Sequence, residues 1–456
     1  MRVHRMVLAT AFTAVAMAPD AARAQNAGLS GLLLRFFEGA NPVILVTTTH
    51  PAHFGAQPGA QAIMSAINRS VASQIATFPL GSSSGGFAYT FDPELGVFSR
   101  STESFGPLFA ERALTIGKGK LGFGVTYLHS TYDAFEGQNL RDGDVTFYLQ
   151  HRDINRDGSH LSPHFEGDRI EGKLFLDLDT DTTVFFGNYG VTDKLDVGFA
   201  LPYLRIDMKA RMHYTILRLA TAPDPLIIHT FPGPGIDASN PNTAVNEADV
   251  SHSASVEGLG DLVVRGKYQW KRFGAGGVAV GMDLRLPTAD EQELLGSGAT
   301  QAKLFAIASG GGRKFSPHLN LGYTFSSGGG SAIGELPDEI NYTAGFDAAL
   351  LPRVTLTADI VGRTLRGAGR VEVQEEVWDF VTRADVGADG RPLDVQLATF
   401  PRLTPVTGDL NILIGAVGVK VNPFGNFLIS GNVLLSQGKR GLQDYITPVV
   451  SVDYSF

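Results

Sequence analysis

No cysteine occurs in the 456 residues. Its absence excludes disulfides and thiolate chemistry, and it suits an oxidising cell envelope, where stray thiols mispair. Basic runs are missing as well. Lys and Arg total 37 against 46 Asp and Glu, a net charge of −9, and nothing tracks a phosphate backbone, so nucleic acid is not an expected partner. Long apolar runs are also absent. The best candidate, residues 32–46, is broken by Arg35, Glu38 and Pro42, and mean hydropathy is only +0.04. A helical span needs about 20 apolar residues, so membrane helices are excluded. Glycine is plentiful, at 54 residues, well above the usual share of about 7%. That favours turns and closely packed strands.

The N-terminus has the three parts of an export signal. Arg2 and Arg5 precede a short apolar run, MVLATAFTAVAMA (6–18), and Ala22-Arg23-Ala24 supplies a small-x-small end. This predicts a signal peptide over 1–24, cleaved after Ala24.

From residue 109 onward apolar residues recur with period two, which places them on one face of a strand. In LGFGVTYLHSTY, Leu121, Phe123, Val125 and Tyr127 oppose Gly122, Gly124 and Thr126. In GDLVVRGKYQW, Leu262, Val264 and Tyr268 oppose Val263, Arg265, Lys267 and Gln269. KLDVGFALPYL, VAVGMDLRL, HLNLGYTF, INYTAGFD, VTLTADI and ITPVVSVDYSF repeat the pattern. NILIGAVGVKV and AKLFAIAS are apolar on both faces and cannot be oriented. Short turns at 192–194, 271–276, 310–316, 351–353 and 422–426 alternate with long polar segments at 134–169, 213–258, 287–301, 326–339, 366–409 and 436–444. Tight periplasmic turns and long outer loops are the signature of a transmembrane barrel. The count predicts an all-β, antiparallel up-and-down barrel of about 12 strands over 109–456, with apolar residues facing outer-membrane lipid. The last strand ends on Val450, Val452, Tyr454 and Phe456 along one face. This resembles the C-terminal signal read by the barrel-assembly machinery, an expected partner.

Residues 25–108 show no sustained alternation. Within them Ile63, Ile67, Val71 and Ile75 form one apolar stripe of a helix. Twelve strands about 4.8 Å apart, tilted about 40°, enclose a backbone radius of about 12 Å. An opening of that size would leak polar solutes, so residues 25–108 are expected to fold into the lumen as a partly helical hatch.

Four strings, YGVTDKLDVGFALPYL (189–204), EGLGDLVVRGKY (257–268), DLRLPTADEQELLGSGATQAKLF (283–305) and KFSPHLNLGYTF (314–325), resemble an outer-membrane transporter family associated with the meta-pathway of phenol degradation. That family is itself similar to the long-chain fatty-acid channels, which carry an N-terminal hatch. The resemblance implies an outer-membrane channel for uptake of a small hydrophobic or aromatic compound, with no catalytic residues and no cofactor.

The charged residues on the polar strand faces are the candidate lumen groups: Arg265, Lys267, Asp283 and Arg285 on neighbouring strands, and Asp347, Asp359 and Arg363 on another pair. They predict a field that holds the hatch or guides a solute, or an ion-pair ladder in a wet lumen. Asp153, Asn155, Asp157 and Gly158 begin like a calcium loop, but the twelfth position is His164 where a bidentate Glu is required, and Glu166 comes two residues late. The expectation is an acidic solvated loop and no metal site. Gly81-Ser82-Ser83-Ser84-Gly85 matches G-x-S-x-G without the strand and helix a nucleophile elbow needs, and reads as a linker. His318 and Asn320 share a lumen face, and no serine partner is evident. An outer-membrane hydrolase of phospholipase type and a structural or adhesive barrel remain the alternatives to transport.

Overall fold

The computed structural model describes residues 28–36, 54–55, 58–77, 81–82, 86–92, 97–222, 224–329, 334–382 and 394–456. The expected signal segment 1–24 and most of the G-x-S-x-G string lie outside them. Period-two patterning produces twelve barrel strands: β1 (Leu121–Thr131), β2 (Arg169–Gly190), β3 (Leu195–Leu217), β4 (Leu262–Phe273), β5 (Gly276–Leu286), β6 (Thr300–Ser309), β7 (Phe315–Ser327), β8 (Glu339–Leu351), β9 (Val354–Val381), β10 (Val395–Phe424), β11 (Phe427–Gln437) and β12 (Ile446–Ser455). Each pairs antiparallel with the next. β12 closes the ring on β1, from Val449 opposite Leu128 to Ser455 opposite Gly122. Closure leaves no strand edge in the ring, which hydrocarbon demands because it offers backbone N–H groups no partner.

The apolar face of each strand points out. Phe123, Tyr127, Phe199, Val264, Met282, Leu304, Leu321, Ile360, Val417 and Val450 are all exposed on the outer wall. Among the described residues no helix is long and apolar enough to cross a membrane; the strands do so instead. A closed antiparallel barrel with an outward apolar belt is the outer-membrane architecture, and that is where this protein resides.

β3 shows where the membrane ends. Its outward residues are Val197, Phe199, Leu201 and Tyr203, then Arg205, Asp207, Lys209, Arg211 and His213. Its inward residues change the opposite way, to Leu204, Ile206, Met208, Ala210, Met212 and Tyr214, all buried. Above the lipid, water lies outside and protein inside, so the polarity of the wall inverts. Residues 213–217 of β3 and much of 366–409 are strand, although their sequence reads as polar loop: β9 and β10 continue as a paired hairpin well beyond the belt. A further strand, Glu247–Leu259, pairs with residues 203–215 of β3, and Val145–His151 pairs with the upper part of β2.

The inverted wall encloses the N-terminal segment. The helix α1, Pro58–Ala76, buries Ile63, Ile67, Val71 and Ile75 in one core with Leu29, Leu33, Phe36 and the inward residues of β2 and β3. Each such aliphatic side chain contributes about 1.5–3 kcal/mol on burial. From α1 the chain descends to the periplasmic turns, where the Tyr89 hydroxyl donates to Asn426 at 3.0 Å. It then crosses the barrel as an extended segment over 105–116. Barrel pairing begins at Leu121, so the boundary expected at 108/109 falls within this crossing segment.

The two strands that could not be oriented are explained by it. Ala416 and Ile414 of β10 pack with Leu108 and Phe109. Phe305 and Ile307 of β6 pack with Ala113. The apolar part of each inner face touches the crossing segment rather than water. Gly281 serves the same packing: a Cβ there would lie 2.2 Å from the Phe305 ring.

Candidate functional site

All seven candidate lumen charges point inward, in two tiers. The upper tier holds the end of α1. Arg265 and Asp283 are cross-strand partners, which brings their side chains within reach. Nε and Nη2 of Arg265 donate to the two carboxylate oxygens of Asp283, both at 3.0 Å, a bidentate fork. Its Nη1 donates to the Gly81 carbonyl at 2.7 Å. Arg285 donates to the Ala76 carbonyl. Arg363 donates to the Thr77 hydroxyl at 2.7 Å while pairing with Glu339. Three wall arginines thus meet the C-terminal end of α1 and the chain just beyond it, where unsatisfied carbonyls and the negative helix pole favour cations.

The lower tier holds the crossing segment. Its backbone groups are buried without a strand partner, so side chains must satisfy them. Asp359 accepts from Leu108 N–H at 3.0 Å and Phe109 N–H at 2.9 Å. Asn320 accepts from Glu111 N–H and donates back to its carbonyl, at 2.7 and 2.9 Å. Asp196 accepts from Ile116 N–H at 3.0 Å. Lys420 donates to the Pro107 carbonyl at 2.8 Å. Lys267 bridges Glu111 and Asp196, both at 3.6 Å. Sequence reasoning missed Asp196, Glu339 and Lys420 as site residues. Inward position in an alternating strand was the available signal, and Lys420 sits in a strand that could not be oriented.

Asp347 joins a different constellation. It pairs with His318 Nε2, and His318 Nδ1 lies 3.2 Å from Ser309 Oγ. The serine partner that the sequence did not reveal is therefore present. All three residues are buried, and the Ser309 hydroxyl accepts from Ala113 N–H at 2.8 Å. None of the three lines either lumen cavity. The string is one more clamp on the crossing segment.

Two cavities flank the crossing segment. One is polar and is lined by Asp283, Lys303, Glu339, Asn341 and Arg363. The other is lined mainly by Ile75, Leu108, Leu128, Val184, Phe186, Ala200, Leu204 and Val449, with Lys420 and Asp453 at its polar margin. Phe109, Arg265 and Arg285 border both. The candidate insertion residues Val450, Val452, Tyr454 and Phe456 stand exposed on the outer wall.

The family model described as "Putative MetA-pathway of phenol degradation" matches residues 156–346. The chain resembles that family there. The matched stretch runs from the outer loop before β2 into β8 and so contains Asp196, Arg265, Lys267, Asp283, Arg285 and Asn320. No curated protein matches the chain in sequence. Among solved structures, an outer membrane channel from Pseudomonas putida F1 is 12% identical, with 75% of this chain and 98% of that one covered at a TM-score of 0.42. A FadL homologue from Pseudomonas aeruginosa is 11% identical over 82% of this chain and 96% of that one, at 0.31. The CymD monoaromatic hydrocarbon channel is 10% identical over 74% and 88%, at 0.26.

Proposed function

We propose that this barrel carries a small apolar or aromatic compound inward across the outer membrane, with residues 25–108 and the crossing segment acting as a hatch that excludes polar solutes. The observation that carries the reading is the mainly apolar lining of a pocket inside the lumen. A barrel built for water and ions presents a polar interior, whereas a pocket lined by aliphatic side chains with a few polar groups at its margin suits an apolar ligand. The phenol-degradation description of the matching family is consistent with an aromatic solute. In the crossing segment, wall side chains accept the backbone N–H groups of Leu108, Phe109, Glu111, Ala113 and Ile116, an arrangement that can be released and remade without breaking the barrel.

The direct test is growth of a deletion strain on a panel of aromatic and fatty-acid carbon sources at limiting concentration, with complementation by the intact gene. Slow growth on a chemically coherent subset supports the reading. Equal growth on every compound contradicts it.

A further inference from the structure

We propose that the outer loop 153–166 is a calcium site, with Asp153, Asn155, Asp157 and Glu166 supplying side-chain oxygens. The loop joins the strand Val145–His151 to β2 on the side of the long connections. Its D-x-N-x-D-G start closes on itself through side-chain-to-backbone hydrogen bonds. Asp153 accepts from Arg156 N–H at 2.6 Å and from Gly158 N–H at 2.8 Å. Asn155 accepts from Asp157 N–H at 3.0 Å, and Asp157 from Ser159 N–H at 2.7 Å. Positive φ values of 61° at Arg156 and 78° at Gly158 make the turn.

A turn of this kind needs no cation, and the decisive observation is Glu166. Its side chain is 0% exposed. One oxygen accepts from Ile154 N–H at 2.8 Å, which anchors the carboxylate within the acidic loop. The other oxygen, Oε2, is buried with no hydrogen-bond partner. An unpaired buried carboxylate oxygen costs on the order of 1–3 kcal/mol or more. A cation would satisfy it and would relieve the repulsion from Asp153 and Asp157. Calcium loops close on a bidentate Glu at the twelfth position. Here that position is His164, and Glu166, two residues later, reaches back into the turn instead. Among the described residues no three His, Asp or Glu side chains already converge on a common point. The ion would therefore draw Asp157 and Glu166 inward to complete its oxygen shell, and a calcium affinity of about 0.1–1 mM, that of extracellular modules, is expected.

The site would brace the outer rim. Gly167, next to Glu166, accepts from Trp378 Nε1 at 2.9 Å. His160 stacks on Trp378 with ring centroids 3.8 Å apart. Phe165 meets His229, which in turn meets Phe54 of the N-terminal segment. Calcium at the loop would thereby steady contacts that reach the hatch.

The test is a terbium titration of the full-length protein refolded in detergent, with emission sensitised through Trp378. Saturable emission displaced by calcium is expected, together with at least about tenfold weaker calcium competition in Asp157→Asn and Glu166→Gln. Correct folding is checked by heat-modifiable migration. If Glu166→Gln does not fold, Asp157→Asn, at an exposed position, decides the matter. Absence of saturable emission, emission that calcium does not displace, or unchanged affinity in Asp157→Asn overturns the proposal.

Discussion

Asp359, in the wall strand β9, holds the backbone of Leu108 across the lumen: its Oδ2 accepts the Leu108 N–H at 3.0 Å and the neighbouring Phe109 N–H at 2.9 Å. Loss of this carboxylate leaves two backbone donors inside the barrel without a partner, at about 1–3 kcal/mol each. Asp359→Ala should accelerate hydrogen exchange at Leu108 and Phe109 while the barrel keeps its heat-modifiable migration. Asp359→Asn, which retains an acceptor oxygen, should exchange more slowly than Asp359→Ala. Equal protection in all three proteins would show that the hatch is held elsewhere.

Arg363 and Glu339 are a buried pair on adjacent strands, and Arg363 also reaches Thr77. Removing only the cation strands a buried carboxylate, so Arg363→Met should cost about 3–5 kcal/mol. The double variant Arg363→Met/Glu339→Leu should recover most of that in a urea unfolding cycle. A single-variant cost below about 1 kcal/mol would mean that water already screens the pair.

Leu321 stands at the middle of β7, 59% exposed on the outer wall. Leu321→Arg should destabilise the barrel in lipid by about 2–4 kcal/mol, the cost of a cation at the bilayer midplane. Arg205, on the outer face of β3 above the belt, should tolerate Arg205→Leu with little change. The contrast checks where the membrane ends, and folding midpoints in phospholipid vesicles measure it.

Ala200 lines the apolar cavity with Leu204 and Phe186. Ala200→Phe inserts a ring into that space, at about 1–3 kcal/mol of barrel stability from overpacking. Uptake of a small aromatic probe should fall by about tenfold, in a barrel that still shows heat-modifiable migration. Unchanged uptake would place the solute path outside this cavity.

Much of the architecture was legible because a barrel repeats one rule twelve times. The outward faces of strands such as 121–131 and 262–273 follow from alternation alone, as does the strand number. The same rule failed where its premise changed. In β3 above Leu204 the solvent switches sides, so apolar residues turn inward, and from His213 the strand reads as a polar loop. In β6 and β10 residues 105–116 cover Phe305, Ile307, Ile414 and Ala416 from within, so apolar side chains occur on both faces. The inward charges were readable from position, but not their partners. That Asp359 would serve Leu108, or Ser309 would meet His318, depends on an extended segment with no period of its own.

The hatch is the claim on which the functional account turns, and planar-bilayer conductance of the mature chain against a variant lacking residues 25–108 tests it most directly. The intact protein should show little steady ionic current, because the crossing segment and α1 occupy the lumen. The truncated barrel should open a stable conductance. Equal current through the two proteins would contradict the account.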